Sequence, residues 1–176
     1  ILDKLPEAVI SIDTYYSEVA GAAVTAGALI VNDISAGELD ANMLSTVAAL
    51  EVPYIAMHMR GNPSTMAHLT DYDDVVLSVF DYFTAKISAA REAGIKDLIL
   101  DPGFGFAKTL EQNYALLRRL KEYQIFEKPI LVGVSRKSMI YNFLGITPEA
   151  SLNGTTVLNT YALERGANIL RVHDVK

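Results

Sequence analysis

Cysteine is absent from the 176 residues, which excludes a disulfide framework and any thiolate-ligated metal centre and fits a reducing, cytoplasmic setting. Basic runs are absent too. With 15 Lys and Arg against 21 Asp and Glu the net charge is −6, which argues against a nucleic-acid partner. No apolar stretch approaches the ~20 residues of a bilayer-spanning helix, and the start carries no signal-peptide pattern, so no membrane partner is expected. Low-complexity segments and linker-like stretches are missing, and no Gly-rich dinucleotide or phosphate loop follows any strand-like run. What is there is 51% hydrophobic and 20% charged, enough for one globular core, so a single domain over 1–176 is expected.

Short apolar runs alternate with helical patterns along the whole chain. Strands are expected at 8–12, 29–31, 54–57, 98–100, 130–134 and 169–172. Helices are expected at 17–26, 41–50, 71–93, 110–123, 138–144 and 156–165, with Asn153-Gly154 read as loop before the last of them. Nearly unbroken apolar strands separated by helices indicate a parallel sheet covered by helices. Polar residues stand at the carboxyl end of essentially every strand: Asp13, Asn32, His58, Asp101, Lys137 and His173. A doubly wound sheet would do this only near its switch point, so the expected fold is α/β, a (β/α)8 TIM barrel. A closed barrel takes eight strands and ~250 residues. The expectation is therefore an incomplete barrel domain: its last six strand units, two strands missing before Ile1 and the final helix missing after Lys176.

The stretch Leu98-Ile99-Leu100-Asp101-Pro102-Gly103-Phe104-Gly105-Phe106 is the most informative. A buried run ends on a carboxylate, and Pro102, Gly103 and Gly105 then let the backbone approach a ligand. The competing reading makes Asp101 a helix cap. Asp13, Asn32 and Asp101 together could hydrogen-bond a heterocycle bearing amino and ring N–H groups; a metal is the other use of such residues, but the spacing of a dedicated site is absent. Met57 and Phe106 could wall a pocket or simply fill the core. Ser135-Arg136-Lys137-Ser138 places two cations at a strand end that leads into a helix, which suits an anion. A solvated basic turn is the plainer alternative, and a Schiff-base lysine would stand within the strand. Arg171 and His173 occupy alternate positions of the last strand and could hold a phosphate or diphosphate.

These motifs, with Asn32-Asp33-Ile34, Met57-His58-Met59 and Gly61-Asn62-Pro63, resemble the dihydropteroate synthase family over essentially the whole chain and in order. The resemblance implies a transferase of folate biosynthesis. It joins 6-hydroxymethyl-7,8-dihydropterin diphosphate to p-aminobenzoate and releases diphosphate, with Mg²⁺ as cofactor. Carried over to this chain, Asp13, Asn32, Ile34, Met57, Asp101, Phe106, Gly133 and Lys137 bind the pterin. Arg171 and His173 bind the diphosphate, and Ser138 and Arg136 the p-aminobenzoate. Asp101, Lys137, Arg171 and His173 are the catalytic set. The family's Asn ligand to Mg²⁺ would lie before Ile1, so no metal ligand is expected here, and the truncated chain is expected to bind pterin with little turnover. Partners are the two small molecules, with a homodimer as the candidate assembly. The alternatives are a pterin-binding methyltransferase domain using methyltetrahydrofolate, which should not need the Arg171 and His173 anion site, and a non-catalytic pterin-binding fragment.

Overall fold

Apolar runs bounded by Asp, Asn, Gly or Pro form strands, but those expected at 8–12, 130–134 and 169–172 span only Ser11–Asp13, Leu131–Val132 and Ile169–Leu170, so Arg171 and His173 lie past the end of the last strand and not on it. The computed structural model describes residues 1–175. Among these it has six strands: β1 Ser11–Asp13, β2 Ile30–Asp33, β3 Tyr54–Met57, β4 Leu98–Asp101, β5 Leu131–Val132 and β6 Ile169–Leu170. The α-helices are α1 Ser17–Thr25, α2 Met43–Leu50, α3 Val75–Ala93, α4 Leu110–Arg118, α5 Ser138–Leu144 and α6 Leu152–Glu164. Strands run in the order β1-β2-β3-β4 in one sheet, and β5 pairs with β6. β1 with β2, β2 with β3 and β5 with β6 are all parallel, as is the isolated bridge from Leu100 to Ile130. No helix among the described residues is long and apolar enough to cross a membrane.

The chain folds as two compact units. The first comprises residues 1–57 and 84–99; the second comprises residues 58–83 and those from 100 onward. In the first, α1 and α2 pack together and Val31, Met43, Val47, Tyr54 and Ile55 fill the core. Asp40 ties the two helices by accepting the Ser17 N–H at 2.7 Å and the Asn42 N–H at 2.9 Å.

The second unit is built on an aromatic cluster. Phe83 and Tyr123 meet edge to face at 5.8 Å, and Phe80 lies 4.6 Å from Phe126. The buried Tyr123 hydroxyl donates to the Val76 carbonyl at 2.9 Å, so its polar tip is satisfied within the core.

Three helix boundaries differ from the sequence expectation. α3 starts at Val75 rather than near 71, because the Asp74 carboxylate accepts the N–H groups of Val76 and Leu77 at 2.8 and 3.2 Å and so caps the helix. α4 ends at Arg118, and Leu120–Phe126 tightens into a 3-10 helix. A three-residue period aligns Leu120, Tyr123 and Phe126 on one side, where Leu120 and Tyr123 are fully buried. α6 begins at Leu152, so Asn153-Gly154 is helical and not loop. A Cβ at Gly154 would stand 2.4 Å from Ile140 Cγ2, so glycine here permits close approach of α6 to α5.

Candidate functional site

In the first unit the β1–β2 register pairs Asp13 with Asn32, so both side chains leave the same sheet face from adjacent strands. Asp13 is exposed, Asn32 is 4% exposed and Met57 is fully buried. Ile34, two residues past Asn32, is half-buried. Next to Asn32, Asp33 is wholly buried and takes four hydrogen bonds. The Ser35 N–H and hydroxyl donate to Oδ1 at 2.8 and 2.7 Å; the Gly37 N–H and the Tyr54 hydroxyl donate to Oδ2, each at 2.7 Å. That carboxylate folds the loop after β2 and thereby sets the position of Asn32.

In the second unit the strand-end groups gather around Asp101. Its side chain is 1% exposed; Oδ1 accepts the Gly103 N–H at 2.8 Å and Oδ2 accepts Arg171 Nη2 at 2.7 Å. Its carbonyl accepts the His58 N–H at 2.9 Å. A Cβ on Gly133 would sit 3.0 Å from Arg171 Nη2, so the bare backbone of Gly133 makes room for the guanidinium. Lys137 donates to the Phe104 carbonyl and lies 4.8 Å above the Phe106 ring. Burial lowers the Lys137 pKa to about 8; Asp101 opposes that shift and Arg171 adds to it. Lys137 therefore keeps its charge at neutral pH. The His173 ring Nδ1 and backbone N–H both meet the buried Ser135 hydroxyl, at 3.0 and 3.2 Å.

Arg136 is engaged elsewhere in this unit. It forms a forked ion pair with Asp174, the shortest contact 2.6 Å, and donates to the Pro148 and Glu149 carbonyls. Its backbone is left-handed, with φ 51°. The guanidinium thus ties the segment after β5 to the segment after β6, while Ser138 opens α5 next to it. An apolar groove of about 410 Å³ between Tyr114, Ile140, Phe143, Leu144, Val157 and Leu158 is lined by none of these groups.

Lys108 has no place in the sequence reading. It is 8% exposed, and its Nζ lies 2.9 Å from His58 Nδ1, 3.0 Å from the Gly103 carbonyl and 2.9 Å from the Phe106 carbonyl. Burial lowers its pKa to about 7, against the pull of Asp101. Burial and the neighbouring Lys108 hold His58 far below the usual imidazole range, so His58 is neutral. The only signal for Lys108 in the sequence is its place directly after Gly105-Phe106-Ala107, where a lysine reads as solvent-facing.

The family model described as Pterin binding enzyme matches residues 1–173. The dihydropteroate synthase of Synechocystis sp. is 46% identical over 170 residues, covering 95% of this chain and 59% of that protein. A dihydropteroate synthase from Thermus thermophilus solved in complex with 6HMPPP superposes with a TM-score of 0.91 at 40% identity, over 96% of this chain and 67% of that one. The same species' enzyme in complex with 4-aminobenzoate gives a TM-score of 0.91 at 39% identity, over 96% and 69%. The chain spans about three fifths of the length of the curated relatives it matches. These likenesses carry the expected fold class, α/β of the TIM-barrel type. The matched family model and the relatives' identities agree: the chain belongs to the pterin-binding enzymes, within the dihydropteroate synthase family.

Proposed function

We propose that the chain carries the pterin-binding and diphosphate-binding residues of an enzyme that condenses 6-hydroxymethyl-7,8-dihydropterin diphosphate with p-aminobenzoate. The observation that supports this most is the Asp101 cluster of the second unit: one buried carboxylate with Arg171 on it, Lys137 beside it and His173 held on Ser135. Solved relatives in complex with 6HMPPP and with 4-aminobenzoate agree with the substrate pair.

In this reading Asp101 receives the amino and ring N–H edge of the pterin, and Phe106 and Gly133 line its slot. For the first unit, the family resemblance assigns Asp13, Asn32, Ile34 and Met57 to pterin binding. Cleavage of the carbon–oxygen bond leaves negative charge on diphosphate, which Arg171 and His173 meet, and positive charge over the pterin, which Asp101 stabilises. The aromatic amine is neutral at pH 7 and attacks the exocyclic carbon without a strong base, so positioning and electrostatics dominate. Ser138 is the proposed contact of the amine's carboxylate; Arg136, tied to Asp174, acts in this reading by holding the loop that carries Ser138. Among the described residues no three His, Asp or Glu side chains come together as a metal site, so the Mg²⁺ implied by the resemblance is assigned no step. A cytoplasmic homodimer goes with the same reading.

The test is titration with two separate probes, 6-hydroxymethylpterin and inorganic diphosphate. Asp101→Asn is expected to weaken the pterin more than diphosphate, and Arg171→Ala the reverse. Because the two groups form an ion pair, the double variant should lose less than the sum, with a coupling of about 1–2 kcal/mol. Equal losses of both probes in both variants would overturn the assignment. A methyltransferase domain would bind the pterin and ignore diphosphate.

A further inference from the structure

The turn after β4 has an unusual backbone. Gly103, Gly105 and Ala107 all have positive φ, at 68°, 81° and 50°. Only the glycines adopt this readily, so the non-glycine Ala107 is held there by its surroundings. The contacts that hold it are polar, and each is buried or part-buried. The Phe106 N–H donates to the Gly103 carbonyl at 3.1 Å, and the Gly105 N–H donates to Asn113 Oδ1 at 2.7 Å. Asn113 Nδ2 returns to the Thr109 carbonyl at 2.7 Å, at the start of α4. At the centre is the Lys108 ammonium, whose three N–H groups match three acceptors: the Gly103 carbonyl, the Phe106 carbonyl and His58 Nδ1. The first two belong to the turn; the third lies just past β3.

We propose that Lys108 is a positioning residue for pterin recognition: its ammonium pins the Pro102–Ala107 turn to His58 and so sets the Asp101 carboxylate and the Phe106 ring in their binding places. The proposal rests on the pterin reading above. A buried lysine is an expensive way to close a turn, since its charge must leave water. The cost is offset only where every donor is used, as here. His58 suits the third place because a neutral imidazole accepts the ammonium without a second ionised group. Its ring is held edge-on against Tyr82, centroids 4.8 Å apart. If Lys108 loses its proton, the amine keeps two donors for the carbonyls and can accept from the other imidazole tautomer, so the same contacts persist. Asp101 and Phe106 are thus held from behind by a group that itself touches no ligand.

The decisive experiment compares the intact protein with Lys108→Met, a nearly isosteric change that deletes the three donors. Hydrogen exchange and the two probes, 6-hydroxymethylpterin and inorganic diphosphate, give the readouts. The expected result is a more than tenfold loss of pterin affinity, diphosphate affinity within about twofold, and faster amide exchange at residues 103–107 with the other elements unchanged. Equal loss of both probes would reduce Lys108 to general scaffold and overturn the proposal, as would unchanged pterin affinity or unchanged exchange at the turn. If Lys108→Met does not fold, His58→Phe carries the same test, since it removes one acceptor and keeps the ring; a smaller loss with the same split between probes is then expected. Should the unmodified protein bind no pterin, the functional reading fails, and exchange at residues 103–107 alone decides whether Lys108 holds the turn.

Discussion

Asp33 and Asp101 are both buried carboxylates at the ends of parallel strands, and what donates to them separates their uses. Asp33 takes its four hydrogen bonds from the loop it folds and from Tyr54 beneath it, so scaffold groups consume its charge. Asp101 takes one backbone N–H and a guanidinium whose side chain is 39% exposed, which leaves its ion pair within reach of an arriving ligand. Both residues follow an apolar run in the sequence and look alike there; the donors that distinguish them come partly from as far as Tyr54 and Arg171. Asp33→Ala is therefore expected to act on folding. It removes the acceptor of four hydrogen bonds, from the Ser35 N–H and hydroxyl, the Gly37 N–H and the Tyr54 hydroxyl, at a cost of about 2–4 kcal/mol. Chemical denaturation should show that loss without any ligand present; an unchanged midpoint would mean that the loop rearranges to satisfy those groups. Lys108 was illegible for a related reason: lysine is rarely buried, and nothing local announces three acceptors of which one lies 50 residues away.

At the scale of elements, glycine carries two opposite meanings in two helices. Gly21 lies inside α1 with nothing within 4 Å of an added Cβ, whereas Gly154 lies inside α6 against Ile140. In the sequence Gly154 reads as a loop marker, because glycine is a poor helix former and its neighbour is Asn. The contact that overrides propensity is tertiary and so was invisible. Gly21→Ala should stabilise by about 0.5–1 kcal/mol, the gain in backbone entropy and helix propensity. Gly154→Ala gains the same propensity but drives a methyl to 2.4 Å from the stiff β-branch of Ile140, for a net loss of about 1–2 kcal/mol. Paired thermal melts give opposite signs; the same sign for both would remove the packing explanation for the helical start of α6. Where the pattern was local and strong, as for β3 over 54–57 or α5 over 138–144, strand and helix were readable to the residue.

For the molecule as a whole, the strand–helix order and the polar strand ends were legible because they are written as local runs. The charge balance of the second unit was not, because it depends on how far each cation is buried. That balance makes a prediction about unfolding. Lys108 has a native pKa of about 7 and Lys137 of about 8, both below the ordinary lysine value of 10.5 that an unfolded chain restores. Between those values the unfolded state binds more protons than the native state, so stability rises with pH. The penalty for burying the two charges is fully present below the native values and is relieved as pH climbs toward 10.5. His58 adds a second window with the same sign. Its pKa is pushed down from 6.5, so stability is lost as pH falls below 6.5 and the unfolded imidazole takes up a proton. Denaturant midpoints measured from mildly acidic to mildly alkaline pH should therefore climb. The difference between the unmodified protein and Lys108→Met should climb most steeply from just above pH 7, where that lysine titrates first. Subtracting the two curves cancels the titrating groups remote from Lys108, and His58, which feels that ammonium, takes up its proton in the unfolded state only below 6.5; a flat or falling difference above pH 7 would mean that the Lys108 ammonium is not desolvated as the geometry requires.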